Sequence, residues 1–181
     1  MMISLRSTPS QTVGPFLHIG LIQDDSVFAV PLGTPGAVWI TGRVFDGAGT
    51  AIDDAMVETW QADLAGLVDD DEIPGDRLGF ARSDTRLGQF AIYTVVPGPV
   101  CDDAGGRQAP HLDMSVFSRG LLHRVVTRVY FPEHADRHSV DPVLATVPPE
   151  RRDTLIAVRD GAGYTFDVHL QGDGETVFFD V

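Results

Sequence analysis

Apolar and polar residues alternate along much of this chain. Over Ala37–Phe45, Val38, Ile40 and Val44 share one face, while Trp39, Thr41 and Arg43 share the other. That period of two is the mark of a half-buried strand. Asp46-Gly47-Ala48-Gly49 follows as a hairpin turn. Met56–Ala62, Gln89–Val95, His111–Phe117, Leu121–Phe131, Tyr164–Gln171 and Thr176–Val181 carry further strand patterns. The last two are entered through the glycine turns Gly161-Ala162-Gly163 and Gly172-Asp173-Gly174. Asp141-Pro142 reads as a cap and first helical position. A second short helix starts near Pro148-Pro149-Glu150 and carries Leu155 and Ile156 inward. Many short strands at near-regular spacing predict an all-β protein, a β-sandwich with short helices.

The opening stretch Thr8–Leu21, TPSQTVGPFLHIGL, departs from this pattern. Thr8, Pro9, Ser10, Gly14 and Pro15 argue against regular helix, because proline fixes φ and biases its predecessor toward extended backbone. Val13, Phe16, Leu17, Ile19 and Leu21 nevertheless call for burial. The expectation is an ordered N-terminal arm over residues 1–36, laid on something, ahead of a sandwich domain over 37–181. An edge strand with a turn is the plainer alternative. Gly14 allows a ligand or partner to approach the backbone closely, and Thr12 sets a hydroxyl beside it.

With 181 residues the chain is one ordinary domain with room for a real core, and neither an internal repeat nor a second domain is visible. Its formal charge of −13 argues against nucleic acid or an anionic membrane surface as partner. All 13 basic residues are arginine. Cys101 is the single cysteine, which excludes an intrachain disulfide and a cysteine-based zinc site. No leader-like start and no membrane-length apolar run is present, so a cytoplasmic protein is expected. Asp69-Asp70-Asp71-Glu72 lacks the regular oxygen-ligand spacing of a calcium loop and reads as a solvated loop.

The candidate chemistry centres on His111-Leu112-Asp113. Strand residues two apart share a face, so His111 and Asp113 can address one atom. Together with His169 they mimic the two-histidine-one-carboxylate triad of ferrous oxygenases that use 2-oxoglutarate. Those enzymes anchor a dicarboxylate with a basic residue beyond the distal histidine. Here no arginine follows Arg159, and the chain has no lysine. His18, His123, His134 and His138 show no ligand spacing, and the last two are expected in a loop beside Pro132.

Several segments, in one order down the chain, carry a resemblance: TPSQTVGP, VETWQADLAG at Val57–Gly66, TVVPGP at Thr94–Pro99, APHLDMSVFSRG at Ala109–Gly120, TRVYF at Thr127–Phe131, and RRDTLIA with the terminal QGDGETVFFDV. The chain resembles the intradiol ring-cleaving dioxygenases, which implies their type of β-sandwich. The iron-bearing members hold Fe(III) with two histidines at i, i+2 and two loop tyrosinates. Here His111 occupies the first histidine position, but Asp113 replaces the second and Val100 stands where one tyrosine belongs. Leu64 to Gly88 contains no tyrosine, and Tyr93, Tyr130 and Tyr164 fall in or at the start of predicted strands.

The resemblance therefore implies a chain with no catalytic residue and no metal ligand set of its own. It implies an αβ hetero-oligomer in which a homologous iron-bearing β-type partner holds Fe(III). The implied reaction, part of aromatic catabolism, cleaves protocatechuate with O2 between its hydroxyl-bearing carbons, giving 3-carboxy-cis,cis-muconate. Carried over by motif, Thr12, Gly14, Pro15 and Arg128 are the implied substrate-binding residues. Arg128 is suited to a ring carboxylate, because a buried carboxylate needs a cation or several donors; pairing with a local acid is the plainer reading. An obligate partnership predicts an interface above about 2,000 Å², with the arm and Val177, Phe178 and Phe179 as candidates. The rival from another class is a non-enzymatic β-sandwich that binds a ligand or partner.

Overall fold

The strands of this computed structural model sort into two four-stranded sheets and one two-stranded pair. Residues 7–67, 79–101 and 106–181 are described; the acidic stretch Asp69–Glu72, expected as a solvated loop, lies outside them. In chain order a short helix α1 (Phe16–Leu21) precedes β1 (Val38–Gly42), β2 (Val44–Phe45), β3 (Met56–Trp60), β4 (Phe80–Asp84) and β5 (Phe90–Thr94). Then come β6 (His111–Phe117), β7 (Val125–Tyr130), α2 (Ala135–His138), β8 (Val158–Asp160), β9 (Gly163–Thr165) and β10 (Val168–His169). One sheet has the order β5-β1-β9-β8, and the other, antiparallel throughout, β4-β3-β6-β7.

Alternation decides which residues meet between the sheets. Ile40, Phe90, Ile92 and Tyr164 of the first sheet join Val57, Leu112, Met114, Val116 and Val129 of the second in one buried cluster. Each such side chain contributes about 1.5–3 kcal/mol on burial, so this seam holds the sandwich together. A second cluster, Ala109, Tyr130, Leu144, Val147 and Leu155, lies where the segments after β7 fold back. Close packing fixes some glycines. A Cβ on Gly42 would sit 1.8 Å from the Phe166 carbonyl oxygen, one on Gly66 2.0 Å from that of Pro99, and one on Gly98 2.5 Å from that of Leu64.

The expected β-sandwich is therefore present, with differences in detail. The Asp46–Gly49 turn forms, because Asp46 Oδ1 accepts from the amides of Ala48 and Thr50. Asp141 caps as expected, accepting from the amides of Val143 and Leu144, and Pro149–Leu155 is a short 3-10 helix that buries Leu155. Phe16–Leu21 is helical, against the expectation drawn from its prolines, since Pro15 sits at the helix start, where a missing amide costs nothing. His134 and His138 likewise lie in helical turns rather than a loop, because Pro132 opens the segment at its first position. The strand expected over Leu121–Phe131 starts only at Val125. The one expected over Tyr164–Gln171 breaks into β9 and β10. At Thr176–Val181 a single bridge, Phe179 to Val126, replaces the expected strand. Val177, Phe178 and Phe179 pack, half-buried, against this chain's own clusters. Among the described residues, no helix is long and apolar enough to cross a membrane.

Candidate functional site

The outward face of the β4-β3-β6-β7 sheet carries the residues of interest. Register places Phe80, Trp60, Asp113 and Arg128 in one row across the four strands, and His111 opposite Tyr130 in the next. Alternation along β6 turns Leu112 and Met114 into the core, so His111 and Asp113 both face outward, as their spacing predicts. The Ala109–Leu155 cluster covers the His111 end, leaving that ring 6% exposed.

At this end a guanidinium stands among polar groups. Arg128 donates from Nε to Asp113 Oδ1 at 2.9 Å and from Nη1 to Gln108 Oε1 at 2.8 Å, with Tyr130 Oη 3.4 Å from Nη1. Burial opposes its charge, but the contact with Tyr130 and the charge of Asp113 outweigh that, and its pKa is raised. Burial likewise pushes the Tyr130 phenol up to about 12, against the opposing effect of Arg128. His111 donates from Nδ1 to the Ala109 carbonyl at 2.7 Å, since a carbonyl only accepts. Burial first, and Arg128 second, lower its pKa. The ring is thus neutral, with the Nε2 lone pair on the side of Asp113, 3.9 Å away.

These residues do not fit ferric iron. That ion asks for several hard anionic donors, whereas here the phenol keeps its proton and the carboxylate beside His111 is claimed by Arg128. A trivalent ion about 5 Å from the guanidinium would meet roughly 10 kcal/mol of repulsion at an effective dielectric of about 20. Among the described residues no group of three or more His, Cys, Asp or Glu side chains is arranged to hold a metal. The cluster is a polar network whose chemistry is to hold a cation of its own.

Linkage gives this cluster a pH signature. The folded chain keeps His111 neutral below the 6.5 of a free imidazole, whereas the unfolded chain binds a proton there. Stability is therefore full above that pH and declines as pH falls through it; the lowered pKa of His138 acts in the same sense. Thermal melts from pH 7.5 down to 5 are expected to show a falling midpoint, with a shallower fall in His111→Gln. An equal slope in both proteins would refute the assignment.

The arm meets the opposite end of the same face. Thr12 Oγ1 accepts from the Gly120 amide at 2.8 Å, in the loop joining β6 to β7. Gly14 is exposed, its carbonyl accepting from Leu17, and a Cβ there would meet nothing within 4 Å. Pro15 caps α1, whose Phe16 and Ile19 are 77% and 71% exposed. Thr12, Gly14 and Pro15 are thus neighbours, whereas Arg128 stands apart from them. The row of Asp113 and the hairpin end at Phe117 are four residues apart, about 13 Å along a strand. Sequence reasoning missed Gln108, which carries no signal, and took Tyr130 for packing alone and Asp141 for a cap alone.

A family model described as "Dioxygenase" matches residues 14–172. The chain is 42% identical to the protocatechuate 3,4-dioxygenase alpha chain of Burkholderia cepacia, over 99% of its own length and 100% of that protein. The beta chain from the same organism is 31% identical, over 92% of this chain and 77% of that one. Among solved structures, the dioxygenase domain of a dioxygenase–carbohydrate-binding fusion from Streptomyces sp. SirexAA-E is similar with a TM-score of 0.60 and 26% identity, covering 92% of this chain and 99% of that one.

Proposed function

This chain belongs to the intradiol dioxygenase family as an α-type subunit, and from that premise we propose how it divides the work with its partner. A β-type homologue holds the ferric iron, and protocatechuate and O2 react in that partner's site. This chain supplies walls and charge. The ligand deficit at His111–Asp113 carries the reading: a relative of iron enzymes that cannot assemble the donors must act beside a chain that can. The likeness to both an alpha and a beta chain supports such a pair.

Thr12, Gly14 and Pro15, within the arm over residues 1–36, border the substrate in the partner's pocket and exclude water from it. Gly14 supports this, because among the described residues nothing lies within 4 Å of where its side chain would be, which leaves its bare backbone open to a neighbour. Exposed Phe16 and Ile19 beside it suit an apolar contact with the partner. Arg128 stands at the pocket's edge and meets the substrate carboxylate. Its Nε and Nη1 are taken within the chain, and Nη2 has no hydrogen bond among the described residues, which leaves the two N–H groups of that nitrogen for an incoming anion.

Steady-state kinetics of the complex carrying Arg128→Ala test the assignment. KM for protocatechuate is expected to rise roughly tenfold, about 1.4 kcal/mol. KM for catechol, which lacks the carboxylate, stays where it was. An unchanged protocatechuate KM, or equal rises for both substrates, rules out the carboxylate role.

A further inference from the structure

Residues 26–29 are hydrogen-bonded to Arg82, Tyr93 and Gly79, but ahead of them the arm owes its place on the sandwich to few contacts among the described residues. Helix α1 has six residues, too short to persist on its own, and no side chain caps it. His18 is its one buried residue. The ring's Nε2 lies 2.9 Å from the Asp54 carbonyl oxygen and therefore donates there. Nδ1, which makes no aligned hydrogen bond, faces Asp84 Oδ2 at 3.2 Å, with both side chains 9% exposed. Asp84 is held in turn by Arg86 Nε at 2.6 Å, and the Asp54 carboxylate is paired with Arg119. Arg119 precedes Gly120, whose amide donates to Thr12. A chain of contacts thus runs from Thr12 through Gly120, Arg119 and Asp54 to His18. Beyond it, Arg82 Nη1 donates to the Leu21 carbonyl at 3.0 Å and fixes the end of α1.

We propose that His18 is a positioning residue for the substrate-bordering arm: buried between the Asp54 carbonyl, to which it donates, and the Asp84 carboxylate, which it faces, it sets where Thr12, Gly14 and Pro15 stand. The inference rests on the reading that the arm borders the partner's site. His18 touches neither substrate nor iron. Its effect passes through three residues that follow each other closely just ahead of it, so a small rotation of α1 about this anchor moves all three together. Phe16 and Ile19 cannot do the same work, because they face away from this chain.

The test uses the full chain purified in complex with its iron-bearing partner. His18→Ala is expected to raise KM for protocatechuate about tenfold and for catechol equally, with kcat within about twofold. Amide exchange at residues 8–17 speeds up in the same variant. His18→Gln, which can still donate to the Asp54 carbonyl, recovers most of the KM. Wild-type KM and wild-type exchange in His18→Ala overturn the proposal. Should His18→Ala fail to assemble, Asp84→Asn, which removes the charge but keeps the shape, is expected to raise KM about threefold, and no change in it overturns the proposal as well. Thr12→Val separates the two levels. If Thr12→Val raises KM and His18→Ala does not, the anchoring role fails; if Thr12→Val, Arg128→Ala and His18→Ala all leave KM unchanged, the pocket reading itself fails.

Discussion

Purified without a partner, this chain is expected to be colourless, to carry well under stoichiometric iron and to leave protocatechuate uncleaved. Mixed with an iron-bearing β-type homologue, it is expected to enter a complex that is coloured and active, with all the metal on the partner. The cause is local. A ferric site needs phenolate, and the Tyr130 phenol titrates only at about 12. It needs free donors in place of the absent ones, and the carboxylate beside His111 is bonded to Arg128 at 2.9 Å. A fixed cation nearby works against it, and Arg128 is one whose pKa is raised further. Elemental analysis together with the visible iron–tyrosinate absorption decides the matter. One equivalent of ferric iron in the isolated chain, with that absorption, would overturn the division of labour.

The second large effect concerns stability. Asp141 is wholly buried, yet both carboxylate oxygens are used: Oδ2 accepts from the Ala109 amide at 2.7 Å, and Oδ1 from the amides of Val143 and Leu144, each at 2.8 Å. One side chain thereby ties the entry of β6 to the turn that covers it. Asp141→Ala strands the buried amides of Ala109 and Leu144 and leaves the part-buried amide of Val143 without its partner. Unmet buried donors cost about 1–3 kcal/mol each, offset in part because a buried charge is also removed, so a loss of about 3–5 kcal/mol is expected. For a domain of this size that lowers the thermal midpoint by roughly 10–15 °C. Asp141→Asn keeps an oxygen for the Val143 and Leu144 pair, gives up the bond from Ala109, and should fall between. Thermal melts of both variants check this; a midpoint within about 2 °C of wild type for Asp141→Ala would show the three bonds to be unimportant.

What the sequence made legible, and what it hid, follows from the range of the forces involved. Strand β6 was readable to its ends because Leu112, Met114 and Val116 alternate with residues that face out, and alternation is a local signal. Strand β4 was not. Its inward residues, Ala81 and Ser83, are small, while Phe80 lies on the outer face beside Trp60, so the usual contrast between faces is inverted. Helix α1 was obscured because proline is judged by its presence, whereas its effect depends on which turn it occupies. The lack of a tyrosine between Leu64 and Gly88, and at Val100, was legible, since an absent residue is a plain fact of sequence. The role of His18 was not: its partners lie 36 and 66 positions away, and one of them is a backbone carbonyl that any residue would supply. Arg128 was legible as a charge, but its commitment to Asp113 and Gln108 emerges only when β6 and β7 pair.

The tight approach of Gly66 to Gly98 has an evolutionary corollary. VETWQADLAG and TVVPGP look like separate signatures, yet Gly98 donates to the Asp63 carbonyl at 2.8 Å, a Cβ on Gly66 would collide with the Pro99 carbonyl, and one on Gly98 with the Leu64 carbonyl and the Gly66 amide. They are two halves of a single joint. Substitution at either position would force the facing segment's backbone aside, so lineages descended from this protein should retain both glycines for as long as they keep this joint.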